Sequence, residues 1–183
     1  MVAHSYSFDV DATPAEAFNA LHHRPRRKRA EPGGAAERRV IEHGDVRIEI
    51  VNEGDELGLG LVRHCTFRVP RWLLSGGKGR SWESITEVQE NQLIRYEAVG
   101  KPLWSRAEGC HRFEDLGDGR TRVTFEETYH AFNPIVRRLL ERRVHRAISA
   151  DNDRLVKAAI EQSVAARRAR KAAAADRGAE QKT

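Results

Sequence analysis

The chain has 183 residues, 39% of them hydrophobic and 32% charged, with a net charge of +5. That length suits one domain with a moderate core. No apolar run approaches the ~20 residues that span a bilayer, the start MVAHSYSFDV lacks a secretory apolar stretch, and the two cysteines fall in different predicted strands. A membrane span and a disulfide scaffold are therefore excluded, and a reducing, cytoplasmic location is the expectation.

His4 to Asp11 alternates, with Tyr6, Phe8 and Val10 on one side and Ser5, Ser7 and Asp9 on the other, as in a half-buried strand. Thr13-Pro14-Ala15-Glu16 then reads as a capping box with proline in the first turn. The helix it opens carries Ala17, Phe18 and Leu21 and stops by Pro25. Residues 22–38 have no periodicity and hold Pro25, Pro32, Gly33 and Gly34, which predicts a loop. Val40 to Asn52 is strand-like, in two pieces if it breaks at Gly44-Asp45.

A glycine-rich turn, EGDELGLG, leads into Leu61 to Val69, where Leu59, Leu61, Arg63, Cys65, Phe67 and Val69 share a face. The connection Pro70 to Gly79 carries Trp72, Leu73 and Leu74, apolar enough to predict a lid or rim. A meander follows: Ser81 to Val88, Leu93 to Val99, Leu103 to Leu116 and Arg120 to Phe132, with Gly117-Asp118-Gly119 as a hairpin signal. Asn133 and Pro134 start a helix running to about Val164. Its predicted stripe is Val136, Leu139, Leu140, Val144, Ala147, Ile148, Leu155, Ala159, Ile160 and Val164, with arginines on the other face. Such a helix is roughly 45 Å long and needs a surface to lie on. From Ala166 the chain is rich in Ala and Arg, helical by propensity but without a stripe, so residues 166–183 are expected to be a basic flexible tail behind a domain of residues 1–165. The order predicts an α+β fold: an antiparallel sheet with one covered face and a long C-terminal helix.

The last hairpin decides which face is wet. Arg106, Glu108, Cys110, Arg112 and Glu114 share one face with Arg122, Thr124, Glu126, Thr128 and His130, while His111, Phe113, Phe125, Glu127 and Tyr129 share the other. If Phe113 faces Val123, then His111 faces Phe125 and Gly109 faces Glu127. His111 and Glu127 become diagonal neighbours, with Cβ atoms roughly 7–8 Å apart. By the same parity Arg63, Cys65, Tyr96, Trp82, Ser84 and Thr86 point inward, although Ile85 breaks the alternation. Two readings follow. Either His111, Glu127 and Arg63 are internal polar pairs that fix register, or helix and sheet enclose a partly polar cavity for a small hydrophobic molecule. The candidate ligand-binding residues are Arg63, Cys65, Phe67, Trp82, Tyr96, His111, Phe113, Phe125, Glu127 and Tyr129.

These phrases together, SFDVDATPAEAF, EGDELGLG, RSWESITEV, LIRYEAVG, GCHRFEDLGDGRTRVTFE and LERRVHRAISADNDRLVKAAIE, resemble the START-like (SRPBCC, polyketide cyclase/dehydrase-like) superfamily over about residues 4–162. The resemblance implies a helix-grip fold, a curved antiparallel sheet of about six to seven strands wrapped around the C-terminal helix with a hydrophobic cavity between. Family members include lipid and hormone binders, aromatic polyketide cyclases and chaperone-activating domains. The resemblance supplies no shared catalytic set, and the basic loop 22–38 stands where members commonly have a second short helix.

Other chemistry finds little support. SGGKGRS lacks the spacing of a phosphate loop, and a strand follows it where such a loop would open a helix. His22-His23 has no second ligand cluster beside it, and neither HExxH nor CxxC occurs, so no metal and no cofactor are expected. Candidate catalytic residues are His111 and Glu127 as an acid/base couple, with Arg63 or Tyr96 to hold an enolate oxygen; Cys65 with His111 is a lesser nucleophilic pair. The expected partner is a hydrophobic small molecule, lipid-like or aromatic, bound by a carrier or turned over by a cyclase or dehydrase. The third alternative is a regulatory module touching nucleic acid or protein through Arg24 to Arg29 and Arg167 to Lys171. Solvated basic segments are the expected reading of those two runs, so nucleic acid is not the expected partner. Nothing in the pattern specifies an oligomeric state.

Overall fold

The structure, a computed structural model, describes residues 2–22, 39–73, 75–101 and 105–180. The run Arg24 to Arg29, His23, Leu74 and Pro102 lie outside the described residues. The strands are β1 (Val2–Val10), β2 (Arg39–His43), β3 (Val46–Asn52), β4 (Val62–Arg68), β5 (Lys78–Gln89), β6 (Leu93–Lys101), β7 (Ser105–Gly117) and β8 (Arg120–Ala131). The helices are α1 (Pro14–Leu21), α2 (Pro134–Leu139) and α3 (Glu141–Glu180).

Among the described residues the eight strands form one antiparallel sheet in the order β1-β8-β7-β6-β5-β4-β3-β2. Neighbours in sequence are neighbours in space, except that β1 closes against β8. The count reaches eight because Val40 to Asn52 divides at Gly44, whose φ of 55° opens a tight turn. The final hairpin turns through Asp118 and Gly119 with φ of 53° and 73°, the left-handed pair that matches strand twist. The register it sets is the expected one: Phe113 pairs with Val123, His111 with Phe125 and Gly109 with Glu127. Irregularities at Ile50/Asn52, Ile85/Glu87 and Asp115/Gly117 mark where strands shift register, as bulges do when a sheet bends.

The capping box of α1 forms as expected. The Thr13 hydroxyl accepts from the Glu16 amide at 3.3 Å, and the Thr13 amide donates to Glu16 Oε2 at 3.0 Å. The helix buries Ala17, Phe18 and Ala20, with Phe18 edge-on to Phe113 at 5.5 Å between ring centroids. Full burial of Phe18 contributes about 1.5–3 kcal/mol. Phe113, Val123, Val10 and Leu61 complete this end of the core.

Asn133 caps α2, its side chain accepting from the amides of Ile135 at 2.9 Å and Val136 at 3.2 Å. The single long helix is corrected to two, broken at Leu140, where φ of −121° leaves the helical region. The stripe is corrected with it. Val144, Ile160 and Val164 are buried, but Leu139 and Leu140 are exposed, because α2 buries none of its residues. α3 packs on α1, β1 and β8. It is helical through Glu180, and the start of the basic tail is engaged. Arg168 pairs with Glu16 at 2.8 Å, and Arg167 donates to the Asn19 carbonyl.

Candidate functional site

Between the inner face of the sheet and α3 lies a cavity of about 320 Å³. Its size falls in the range of small-molecule sites. Eight of the ten sequence candidates border it: Arg63, Cys65, Phe67, Tyr96, His111, Phe125, Glu127 and Tyr129. The other two do not. Phe113 points inward but packs on Phe18 beyond the cavity. Trp82 is corrected to the outer face, 52% exposed and tilted against His64 at 4.8 Å. The cause is the bulge at Ile85/Glu87. It reverses alternation along β5, so that Ser81, Glu83 and Ile85 point inward, and Thr86 is exposed.

That reversal supplies a residue the sequence reading missed. Glu83 lies directly across from Arg63 in the β4–β5 register. Arg63 Nε donates to Glu83 Oε2 at 2.7 Å, and Ser81 Oγ donates to Glu83 Oε1 at 2.7 Å. Both charged side chains are nearly buried, at 12% and 14% exposure. Burial alone would raise the Glu83 pKa, but the Arg63 guanidinium and the Ser81 hydroxyl outweigh it and hold the carboxyl below its ordinary value. The guanidinium carbon also stands 5.8 Å from the centroid of the Tyr96 ring.

The second polar group sits where β6, β7 and β8 run side by side. Tyr96 donates its hydroxyl to Glu127 Oε1. Gly109, opposite both residues, makes the arrangement possible: a Cβ there would collide with the Tyr96 ring. Tyr96 thus fills the space beside Glu127 that a glycine leaves open. Burial, then the Glu127 carboxylate, raises the Tyr96 phenol well above its ordinary value, so it stays a donor. His111 stacks on Phe125 at 4.7 Å instead of meeting Glu127, and neither of its ring nitrogens has a hydrogen-bond partner. Burial, then Arg63, lowers its pKa to about 3. It is a neutral imidazole offering one donor and one acceptor.

The helix contributes a third group, also missed. His145 stacks on Tyr129 at 3.9 Å, borders the cavity and has unpartnered ring nitrogens. Burial lowers its pKa to about 4. Glu141 and Ser149, one turn to either side, are also buried with an unpartnered oxygen each. A run of polar residues at every fourth position was the available signal. Along β8, Phe125 and Tyr129 are four residues apart, about 13 Å in an extended strand. The two neutral imidazoles are thus set at opposite ends of one wall, with Glu127 between them.

Several candidates fall away. Burial, then Glu83, pushes the Cys65 thiol far above its ordinary value, which leaves it protonated and a poor nucleophile. His22 is buried, tilted against Phe18 at 4.9 Å and bonded to the Leu57 carbonyl. No metal-binding cluster occurs among the described residues. Trp72 is exposed in a short turn at Arg71–Leu73.

The profile of the family described as polyketide cyclase / dehydrase and lipid transport matches residues 1–159. No curated protein matches the chain in sequence. Among solved structures, TTHA0849 from Thermus thermophilus is similar at a TM-score of 0.61 and 18% identity, over 90% of this chain and 98% of that one. A START superfamily protein from Mycobacterium smegmatis is similar at 0.59 and 15% identity, over 88% and 96%. The Zhui aromatase/cyclase from Streptomyces sp. R1128 is similar at 0.54 and 13% identity, over 93% and 95%.

Proposed function

Because the chain belongs to the polyketide cyclase / dehydrase and lipid transport family, we propose that it binds an uncharged, largely apolar small molecule in the cavity between sheet and α3. The observation that carries this reading is the pair of buried imidazoles, His111 and His145, whose ring nitrogens have no protein partner. A buried polar atom left unmatched costs about 1–3 kcal/mol. A ligand with a hydroxyl or carbonyl near each end would satisfy both. The Arg63–Glu83 pair is already neutralised internally, so it offers no net charge to an ionic ligand.

Native mass spectrometry of freshly purified protein tests the idea. The expected result is a retained organic mass, lost on denaturation and absent from Ala107→Phe, which fills the cavity. Failure of the wild type, as purified or with the neutral dye Nile red added, to show any binding that Ala107→Phe abolishes would overturn it.

A second reading, turnover by a cyclase or dehydrase, draws on the closeness of His111, Tyr96 and Glu127. His111 would take a proton from carbon next to a carbonyl, and Arg63 or Tyr96 would hold the enolate oxygen. A pKa of about 3 makes His111 a weak base at neutral pH, which is why binding is preferred here. With a linear polyketone as substrate, His111→Ala should slow the reaction at least about a hundredfold if that step is real. An unchanged rate removes His111 from the chemistry.

A further inference from the structure

One end of the sheet gathers the close of β4, β6 and β8 and the start of β5 and β7, as the pairs Arg68–Lys78, Gly100–Ser105 and Ser105–Ala131 show. The cavity reaches this end, where Gly44, Lys101 and Ser105 border it. The chain leaves β8 here through Phe132 and enters α2, none of whose residues is buried. Ile135 and Leu139, one turn apart on the same face, are 67% and 68% exposed, and Phe132 beside them is half exposed. Trp72 stands exposed at the same end, between β4 and β5. Arg138, just before Leu139, and Arg142, Arg143 and Arg146, just after it, are all exposed. None of the four is held in an ion pair among the described residues.

Apolar side chains held this far into water mark a contact surface. The neighbouring arginines choose its partner. A two-fold pairing with a second copy would set one arginine cluster against another, which repels. Nucleic acid would use the arginines and leave the aliphatic groups in water. Aliphatic and aromatic tips beside a cationic cluster fit the boundary between acyl chains and anionic headgroups. We propose that Phe132, α2 and the start of α3 dock the protein on an anionic phospholipid surface. Ile135 and Leu139 enter the acyl boundary, and the arginines meet lipid phosphates. Docked this way, the cavity end that Lys101 and Ser105 border faces the bilayer. The inference rests on this surface and stands whether or not the cavity is ever filled.

Flotation of the full chain with phosphatidylcholine vesicles, with and without phosphatidylglycerol, tests it. Wild type should float with the anionic vesicles and release at high salt. Ile135→Ser/Leu139→Ser should bind roughly tenfold or more weakly. Arg142→Glu/Arg146→Glu should lose about fivefold or more per arginine and most of its preference for phosphatidylglycerol. Both pairs are exposed, so circular dichroism and melting should match wild type. As a readout on folded wild type alone, Trp72 emission should shift to the blue with anionic vesicles, and Trp72→Phe should remove that shift. No binding to anionic vesicles overturns the proposal, as does binding indifferent to Ile135→Ser/Leu139→Ser. Salt-steep binding to an oligonucleotide or an acidic protein, unaffected by that double variant and without vesicle binding, overturns it in favour of that partner.

Discussion

Glu83→Ala should lose about 3–5 kcal/mol of folding stability, because it leaves the Arg63 guanidinium buried with no counter-charge. The penalty comes from the partner left behind. Arg63 reaches the cavity wall from β4 and is met by Glu83 from β5, its direct partner in the register. Ser81 fixes the other carboxylate oxygen at 2.7 Å, so one substitution orphans a charge and a hydroxyl together. Urea denaturation of the variant against wild type measures the loss directly. Arg63→Met/Glu83→Leu should recover most of it, since two packed apolar side chains replace a pair whose desolvation nearly cancels its attraction. A double-mutant cycle should accordingly give a coupling far larger than the ~0–1 kcal/mol typical of surface pairs. If Glu83→Ala stays within about 1 kcal/mol of wild type, the guanidinium has found water and the dry pair described here is wrong.

The same pair shows where the sequence was readable and where it was not. Parity along the last hairpin needs only a turn signal and alternation, and Asp118-Gly119 provides the turn. His111, Phe125, Glu127 and Tyr129 therefore came out on the cavity side. Parity along β5 failed at one residue. Val88 pairs with Ile94 and Glu87 with Arg95, yet Ile85 already pairs with Tyr96, so Thr86 is the extra residue. Everything before it flips, which placed Trp82 inside and hid Glu83. Ile85 was the visible symptom, an apolar residue on the face assigned to water. The helix break at Leu140 has no local cause in the sequence, which carries neither Gly nor Pro there. His145 was missed because an apolar stripe was sought, and a polar residue inside one signals only that something it can bond to lies opposite.

Acidification should destabilise the protein well before its carboxylates protonate. The ordinary histidine pKa is 6.5; folding lowers His111 to about 3, by burial and then Arg63, and His145 to about 4, by burial. The sign follows from proton uptake. Below pH 6.5 the unfolded chain binds a proton at each ring and the folded chain does not, so protons favour unfolding. Stability from these groups is full above 6.5 and falls as pH drops toward the folded values, by about 1.4 kcal/mol per pH unit for each ring. Over two pH units the two rings together give a loss of roughly 5 kcal/mol, comparable with the whole stability of many domains. Glu83 and Glu16 also titrate low, Glu83 because Arg63 outweighs burial and Glu16 chiefly through Arg168, but their contribution is lost only below 4.5. Urea midpoints between pH 7 and pH 4.5 should therefore fall steeply. His111→Leu/His145→Leu, with no imidazole at either site, should flatten that fall. A bound ligand that hydrogen-bonds the neutral rings should steady the protein further at neutral pH, by an amount that grows with its concentration. If NMR shows either ring titrating near 6.5 in the folded protein, that imidazole is hydrated, and its share of the acid sensitivity and its role in holding a ligand both fall.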